Sequence, residues 1–357
     1  MTVSGMQRLR VLVVDDSAYN RQTITTMLSS VPGIRVVARA ADGDEGLRRV
    51  FEHAPDIITL DLEMPRMDGF TFLRILMQRK PTPVIVVSSY ARKENVFKAL
   101  ELGALDFIAK PAHGVSGELT GIEAELAGKV RLVTRLRVVA LAERARAPSP
   151  VAPPPPIVIS PAGPTLRIVV LGASTGGPPA VQRTLSALDA RSGVCVLVAQ
   201  HMPPAFTSTF AERLDRQSSF EVREARDGDA LRPGLALIAP GGSHLEVDCP
   251  PGGLPRARVL PAGTADRWVP SLDRLLGSVA RVAGRRAMAV VLTGMGDDGA
   301  DGVRSIKLAG GRVVVESADT AVMTGMPEAA LATGLVDEVV PLHGMPAAIT
   351  RFAAEER

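Results

Sequence analysis

Apolar residues in the first third of the chain come in short runs separated by helix-length stretches. RVLVVDD (10–16), IRVVARA (34–40), DIITLD (56–61), PVIVVSS (83–89) and ALDFIAKP (104–111) each read as a strand. Residues 17–30 have a helical pattern with Ser17 as N-cap, and Asp42 with Gly43 opens a second helix. Five strands alternating with helices predict a parallel sheet covered on both faces. Right-handed crossovers then favour a flavodoxin-like, doubly wound α/β fold.

The second half repeats the pattern less regularly. RIVVLG (167–172) precedes GGPPAVQRTLSAL, with prolines where the first turn of a helix tolerates them. VCVLVAQH (194–201) precedes helix-like AFTSTFAERL, and LALIAPGGSHLEV (235–247) reads as a hairpin. A helix near Ser271 to Arg281, the strand AMAVVL (287–292), the loop TGMGDDGADG, a further helix and the strand RVVVE (312–316) follow. The expectation is a second doubly wound, mostly parallel α/β sheet with a small antiparallel insertion. Between the halves, residues 147–164 hold eight of the 28 prolines and read as a stiff spacer. We therefore expect domains at 1–128 and 166–357, joined by a basic helix and Pro-rich linker at 129–165.

Composition narrows the class. With 357 residues, 46% hydrophobic and 22% charged, the chain suits two globular domains. Aromatics are only 3%, so Leu, Val, Ile, Ala and Met must fill the cores. No apolar run approaches the roughly 20 residues of a membrane span, and the N-terminus runs into a strand without a signal-peptide pattern, so a cytoplasmic protein without membrane insertion is expected. Cys195 and Cys249 cannot make a disulfide framework or a four-thiolate zinc site. The net charge of +3 sits in the connector: residues 129–165 carry six basic and one acidic residue, whereas each flanking half nets −1. Neither half has the concentrated positive face that nucleic-acid binding needs. The basic stretch (Lys129, Arg131, Arg135, Arg137, Arg144, Arg146) reads as a solvated helix face.

Chemistry gathers at predicted strand ends. Asp15 and Asp16 end the first strand, Asp61 the third, Ser88 the fourth and Lys110 the fifth. In a 2-1-3-4-5 order the first and third strands adjoin at the switch point, where ligands bind. Clustered carboxylates repel unless a cation joins them, and hard oxygen ligands suit Mg²⁺. The remaining carboxylate can then act as nucleophile toward a phosphoryl group, with Lys110 neutralising it and Ser88 bonding to it. VLVVDDS, LDLEMPRMDG, VVSS and FIAKPA resemble the response-regulator receiver family over nearly all of 1–128. The resemblance implies Asp61 as phosphoacceptor, Asp15 and Asp16 helping Asp61 to hold Mg²⁺, and Ser88, Phe107 and Lys110 as switch residues. A partner histidine kinase would supply the phosphoryl group.

GASTG (172–176) fits G-x-S-x-G between a strand and a helix, the context of a nucleophile elbow at Ser174. The same glycines could cradle a dinucleotide, with Asp189 near the distance of a ribose-binding acid, although the G-x-G-x-x-G spacing is missing. His201 ends the next strand, and Asp297 and Asp298 follow the strand AMAVVL. Parallel strands share one carboxyl edge, so a hydroxyl, an imidazole and one of two carboxylates can meet there as nucleophile, base and orienting acid. GASTGG, QHMPPAFTSTFAERL, DGDALRPGLALIAPGGSHLEV and LTGMGDDGADG resemble the chemotaxis methylesterase family, CheB, over about 166–350. That resemblance implies hydrolysis of glutamate γ-methyl esters on methyl-accepting chemotaxis receptors, with deamidation of receptor glutamines. It maps the triad to Ser174, His201 and Asp298, gives Met295 an oxyanion-hole N–H, and needs no cofactor for the ester chemistry. A monomer is expected, with the receiver covering the Ser174 edge until Asp61 is phosphorylated. The chain departs from the family at ADRWVPSLD, with Trp268 and Val269 in place of a His/Arg-Pro-Ser pattern, and at GMPE, with Glu328. Two rival readings, a DNA-binding output and a dinucleotide-dependent enzyme, leave His201 and the GMGDDG loop without a role.

Overall fold

The structure, a computed structural model, describes residues 8–89, 93–110, 122–131 and 166–355. Backbone contacts divide the chain into two units, Met1–Ala147 and Pro148–Arg357. The Pro-rich segment 147–164 and Arg135, Arg137, Arg144 and Arg146 lie outside the described residues.

The first unit alternates β1 (Leu9–Val14), α1 (Ala18–Ser30), β2 (Ile34–Ala40), α2 (Gly43–His53), β3 (Ile57–Leu60), α3 (Gly69–Arg79), β4 (Val84–Ser89), α4 (Lys93–Glu101), β5 (Asp106–Lys110) and α5 (Glu123–Arg131). The sheet order is β2-β1-β3-β4-β5, and all pairs are parallel, which is the flavodoxin-like arrangement. Helix starts are capped from the sequence: Ser17, Asp42 and Asp68 each accept the N–H three residues on. On one face Val11, Val13, Ile57, Ile85, Val87 and Ile108 pack with Ile24 and Leu28 of α1 and Leu126 and Val130 of α5. The alternate strand residues Leu12, Val14, Ile58 and Leu60 are buried as well, as a sheet covered on both sides requires.

Helix α5 corrects the boundary expected at 128. It runs on to Arg131, and Val130 is wholly buried in the core of this unit. It also corrects the solvated-face reading for Lys129. That ammonium lies 3.0 Å from both Asp106 and Glu125 and donates to the Phe107 carbonyl (2.6 Å). Spacing along a helix shows which residues share a side, but not that β5 lies across from them.

The second unit is a seven-stranded sheet ordered β14-β13-β12-β6-β7-β9-β8 and parallel throughout. Its strands are β6 (Arg167–Ala173), β7 (Val194–Gln200), β8 (Glu221–Glu224), β9 (Leu235–Ile238), β12 (Ala287–Val291), β13 (Arg312–Glu316) and β14 (Glu338–Val340). The helices are α6 (Gly177–Ser186), α7 (Pro204–Gln217), α8 (Leu272–Ala283), α9 (Ala300–Leu308), α10 (Gly325–Leu331) and α11 (Met345–Ala354). Pro178 and Pro204 sit in the first turns of α6 and α7, where no intrahelical N–H is lost.

The hairpin expected over 235–247 does not form. Leu235–Ile238 is buried at every position and joins the parallel sheet between β7 and β8. The antiparallel pair is instead β10 (Ser243–Asp248) with β11 (Arg256–Pro261). LALI is continuously apolar and suits a strand buried on both faces, so AP-GG is a strand-to-strand crossing, not a tight turn.

The burial of Val130 can be tested by calorimetry on the full chain. Val130→Asp places a carboxylate in that core and should strongly lower one unfolding transition, leaving the transition of the second unit in place. Two unmoved transitions would put residues 129–131 outside the first core.

Candidate functional site

Sheet order explains which residues converge. β7, β6 and β12 are consecutive parallel neighbours, so their carboxyl ends share one edge. His201 follows β7, Ser174 follows β6 and the loop 293–299 follows β12. Ser174 takes the middle position. Its N–H donates to the Thr293 carbonyl, and the His201 N–H donates to the Ala173 carbonyl, both at 3.1 Å. The glycines of GASTG have separate causes. A Cβ on Gly172 would fall 2.0 Å from a methyl of Leu272, so β6 and α8 could not approach. Gly176 caps α6 at φ +74°, a left-handed conformation that favours glycine.

Gln200, one residue before His201, ties the two segments together. Its Nε2 donates to the carbonyls of Ser174 (3.0 Å) and His201 (3.1 Å). One amide thus sets the backbone of both residues.

His201 Nε2 lies 2.8 Å from Asp298 Oδ2. An ionised carboxylate only accepts, so Nε2 carries the proton and Nδ1 keeps the lone pair. Among the described residues, Nδ1 is buried and has no hydrogen-bond partner. Ser174 Oγ is not hydrogen-bonded to this nitrogen, although the two residues follow neighbouring strand ends.

Asp298 is fully buried and accepts four hydrogen bonds. Besides His201, the donors are the Leu272 N–H (2.7 Å), the Asp273 N–H (3.0 Å) and the Ser271 hydroxyl (3.2 Å). These backbone groups are the first of α8, where helix N–H groups lack intrahelical partners and negative charge is favoured. Burial pushes the carboxyl up, but His201 and the two N–H groups outweigh it and hold it below the usual range. Asp297, its neighbour, turns outward and binds Arg267 (3.1 Å) and the Trp268 indole N–H (3.2 Å). Sequence spacing leaves Asp297 and Asp298 equivalent; the fold brings Asp298 to the imidazole.

Several further residues support this arrangement. Asp273 accepts the N–H groups of Gly299 (2.9 Å) and Gly302 (2.7 Å) at the start of α9, and burial pushes its carboxyl up to about 6. His244 is wholly buried, pairs with Asp266 (2.8 Å) and accepts the Ser271 N–H (3.1 Å), which fixes the start of α8. Glu316, buried at the end of β13, accepts the Thr293 N–H (2.8 Å) and anchors the loop that carries Asp298. Ser271, the N-cap of α8, accepts the Arg274 N–H and donates to Asp298. Met295 lies half-buried on that loop, and Gly294 packs so closely on Ser174 that a Cβ would fall 3.0 Å from the serine Cβ.

Asp189, the acid the dinucleotide reading would use, precedes β7 and so lies at the amino ends of the strands, away from Ser174. It is engaged with Arg191 (2.6 Å).

In the first unit, ligand oxygens of Asp15, Asp16 and Asp61 lie within 4.8 Å of one another. Lys110 donates to Asp15 Oδ2 (2.8 Å) and to Asp61 Oδ2. Burial pushes the Asp15 carboxyl up, and the Asp61 charge adds to this against the pull of Lys110. Burial disfavours the charged ammonium, yet Asp61 and Asp15 outweigh it and raise the Lys110 pKa. One ammonium among three carboxylates leaves negative charge uncompensated, so this all-oxygen donor set fits a hard divalent cation. Ser88 is buried at the end of β4, and Phe107 is buried on β5 beneath the Lys129 ammonium, 5.5 Å from its ring centre. Among the described residues no helix is long and apolar enough to cross a membrane.

Two parallel α/β units, one ending in a carboxylate–lysine cluster and the other in a serine, histidine and aspartate, define a receiver joined to an α/β output domain. The chain matches the CheB methylesterase family over residues 169–349 and the response regulator receiver domain over residues 11–116. A protein-glutamate methylesterase/protein-glutamine glutaminase 1 of Myxococcus xanthus is 50% identical over 353 residues, covering 98% of each chain. Protein-glutamate methylesterase/protein-glutamine glutaminase 3 of Geobacter sulfurreducens is 49% identical, covering 95% of this chain and 96% of its own. The crystal structure of the Thermotoga maritima CheB methylesterase catalytic domain aligns with TM-score 0.50 and 36% identity, covering 52% of this chain and 97% of that one. The chain belongs to the CheB methylesterase family.

The raised Asp273 carboxyl has a measurable consequence. From the ordinary value of 3.8 up to about 6, the folded state keeps a proton that the unfolded state has released. Stability therefore falls as pH rises through this window. Asp273→Asn keeps an acceptor for Gly299 and Gly302 and removes the buried charge. Its thermal midpoint should exceed that of the wild type above pH 6 and converge with it near pH 4. A constant offset across that range would refute the raised carboxyl.

Proposed function

We propose that this chain is a phosphorylation-controlled protein-glutamate methylesterase. It hydrolyses glutamate γ-methyl esters on methyl-accepting chemotaxis receptors to methanol and glutamate, and it deamidates receptor glutamines by the same route. The observation that carries this reading is the His201–Asp298 pair, which commits Nε2 to a buried carboxylate and leaves Nδ1 unpartnered among the described residues, with Ser174 after the neighbouring strand.

The Ser174 hydroxyl adds to the ester carbonyl carbon as its proton passes to His201 Nδ1. Asp298 offsets the charge on the imidazolium and holds its tautomer. The oxyanion is stabilised by backbone N–H groups, with Met295 assigned as one donor; such a donor is worth about 3 kcal/mol in other enzymes. Collapse breaks the carbon–oxygen bond to the methoxy group, which leaves as methanol with the proton from Nδ1. Water then adds to the acyl-serine, giving its proton to Nδ1. The second collapse releases glutamate and returns the proton to Ser174. With glutamine, ammonia takes the place of methanol. This chemistry uses side chains and backbone alone.

In the receiver, Asp61 accepts the phosphoryl group from a partner histidine kinase. Asp15, Asp16 and Asp61 would hold Mg²⁺, which supplies charge neutralisation for the transferring phosphoryl group. Lys110 pairs with its oxygens, and Ser88 and Phe107 respond to its arrival. Receptor, kinase and this enzyme meet on the cytoplasmic side.

The test uses methyl-esterified receptor and measures methanol release. Ser174→Ala should lower kcat by at least about 10³-fold. An acyl phosphate should stimulate the wild type and leave Asp61→Asn at its basal rate. Full turnover in Ser174→Ala would overturn the hydrolase assignment, and stimulation of Asp61→Asn would overturn the phosphoacceptor.

A further inference from the structure

The mechanism leaves one large group at the site without a task. Trp268, the only tryptophan of the chain, lies parallel to the His201 imidazole, with 1° between the planes and 5.2 Å between ring centres. At that separation the rings are offset-stacked. Three contacts hold the indole there. Its N–H donates to Asp297 Oδ1 (3.2 Å). The Arg267 guanidinium lies 4.8 Å from the ring centre and itself donates to Asp297 Oδ2 (3.1 Å). Gly296, at φ +88°, lies against the ring so closely that a Cβ would fall 2.4 Å from Cζ2. Trp268 thus joins the segment before α8 to the loop after β12 and rests on the imidazole.

We propose that Trp268 is a positioning residue for His201: it fixes the plane of the imidazole and stabilises the imidazolium formed during turnover. The bond to Asp298 pins the ring at Nε2 but leaves it free to pivot about that bond. A parallel aromatic face removes the pivot. The same face carries the negative part of the ring quadrupole and attracts a cation more strongly than a neutral ring. Asp298 binds Nε2, and Asp273 stands behind Asp298 at the start of α8. Asp297 and Arg267 contact the indole and are paired with each other.

The inference rests on His201 as base, but its first test needs no substrate. A protonated imidazole in contact with indole quenches its emission, and a neutral one does so far less. With a single tryptophan, emission of the full-length protein should rise through one titration step as pH increases. The step should persist in Ser174→Ala and vanish in His201→Gln. Emission without a step, or a step retained in His201→Gln, overturns the contact. The second test is kinetic. Trp268→Leu keeps apolar bulk without a π face and should lower kcat about 3- to 30-fold at little cost in KM, whereas Trp268→Phe restores most of it. Equal losses in Leu and Phe, or a change confined to KM, overturn the positioning role. Full activity in Ser174→Ala would instead sink the hydrolase reading and leave the fluorescence result standing.

Discussion

Two helices meet at their amino ends and exchange aspartates, and the geometry of the cleft depends on that exchange. Asp298, just ahead of α9, accepts from the first N–H groups of α8; Asp273, in the first turn of α8, accepts from Gly299 and Gly302 at the start of α9. Each helix start presents unpaired N–H groups and a partial positive charge. Each carboxylate is therefore held by the end of the other helix. This crossing lets Asp298 remain charged while fully buried beneath His201. Stripping the partners from such a charge costs about 3–5 kcal/mol. The tautomer of His201, with the proton on Nε2, follows from that charge.

The layers behind the crossing serve the same end. His244 and Asp266 hold the Ser271 N–H, which sets where α8 begins. Glu316 and Thr293 hold the loop that delivers Asp298. Gln200 binds the carbonyls of both Ser174 and His201. The receiver meets a similar problem of crowded negative charge with other means: one lysine bridges Asp15 and Asp61.

Much of this was legible because strands buried on both faces are apolar throughout and stop where polar chemistry starts. VVDD, ITLD and VAQH each announce a strand end and a functional side chain together, and the alternation with helices implies that such ends share an edge. Three readings failed for one reason. The LALI segment was paired with its neighbour in sequence, whereas it pairs with β7 and β8. Lys129 was judged from its helix alone, whereas Asp106 lies opposite it. The first domain was ended at 128, whereas Val130 is part of its core. In each case the partner comes from a distant part of the chain.

The sequence by itself determined the two-domain α/β plan, the strand ends that bear Asp15, Asp61, Ser174 and His201, and the kinship to receiver and methylesterase families. These are properties of local patterns and short motifs. The family resemblance singled out Asp298, but only the tertiary structure brought it to His201 and turned Asp297 away, gave Gln200, Asp273, His244 and Glu316 their supporting parts, and laid Trp268 on the imidazole. Hydrogen bonds and ring contacts act over a few ångströms in space, and residues 298 and 271 become neighbours only when strand order and helix crossing bring them together.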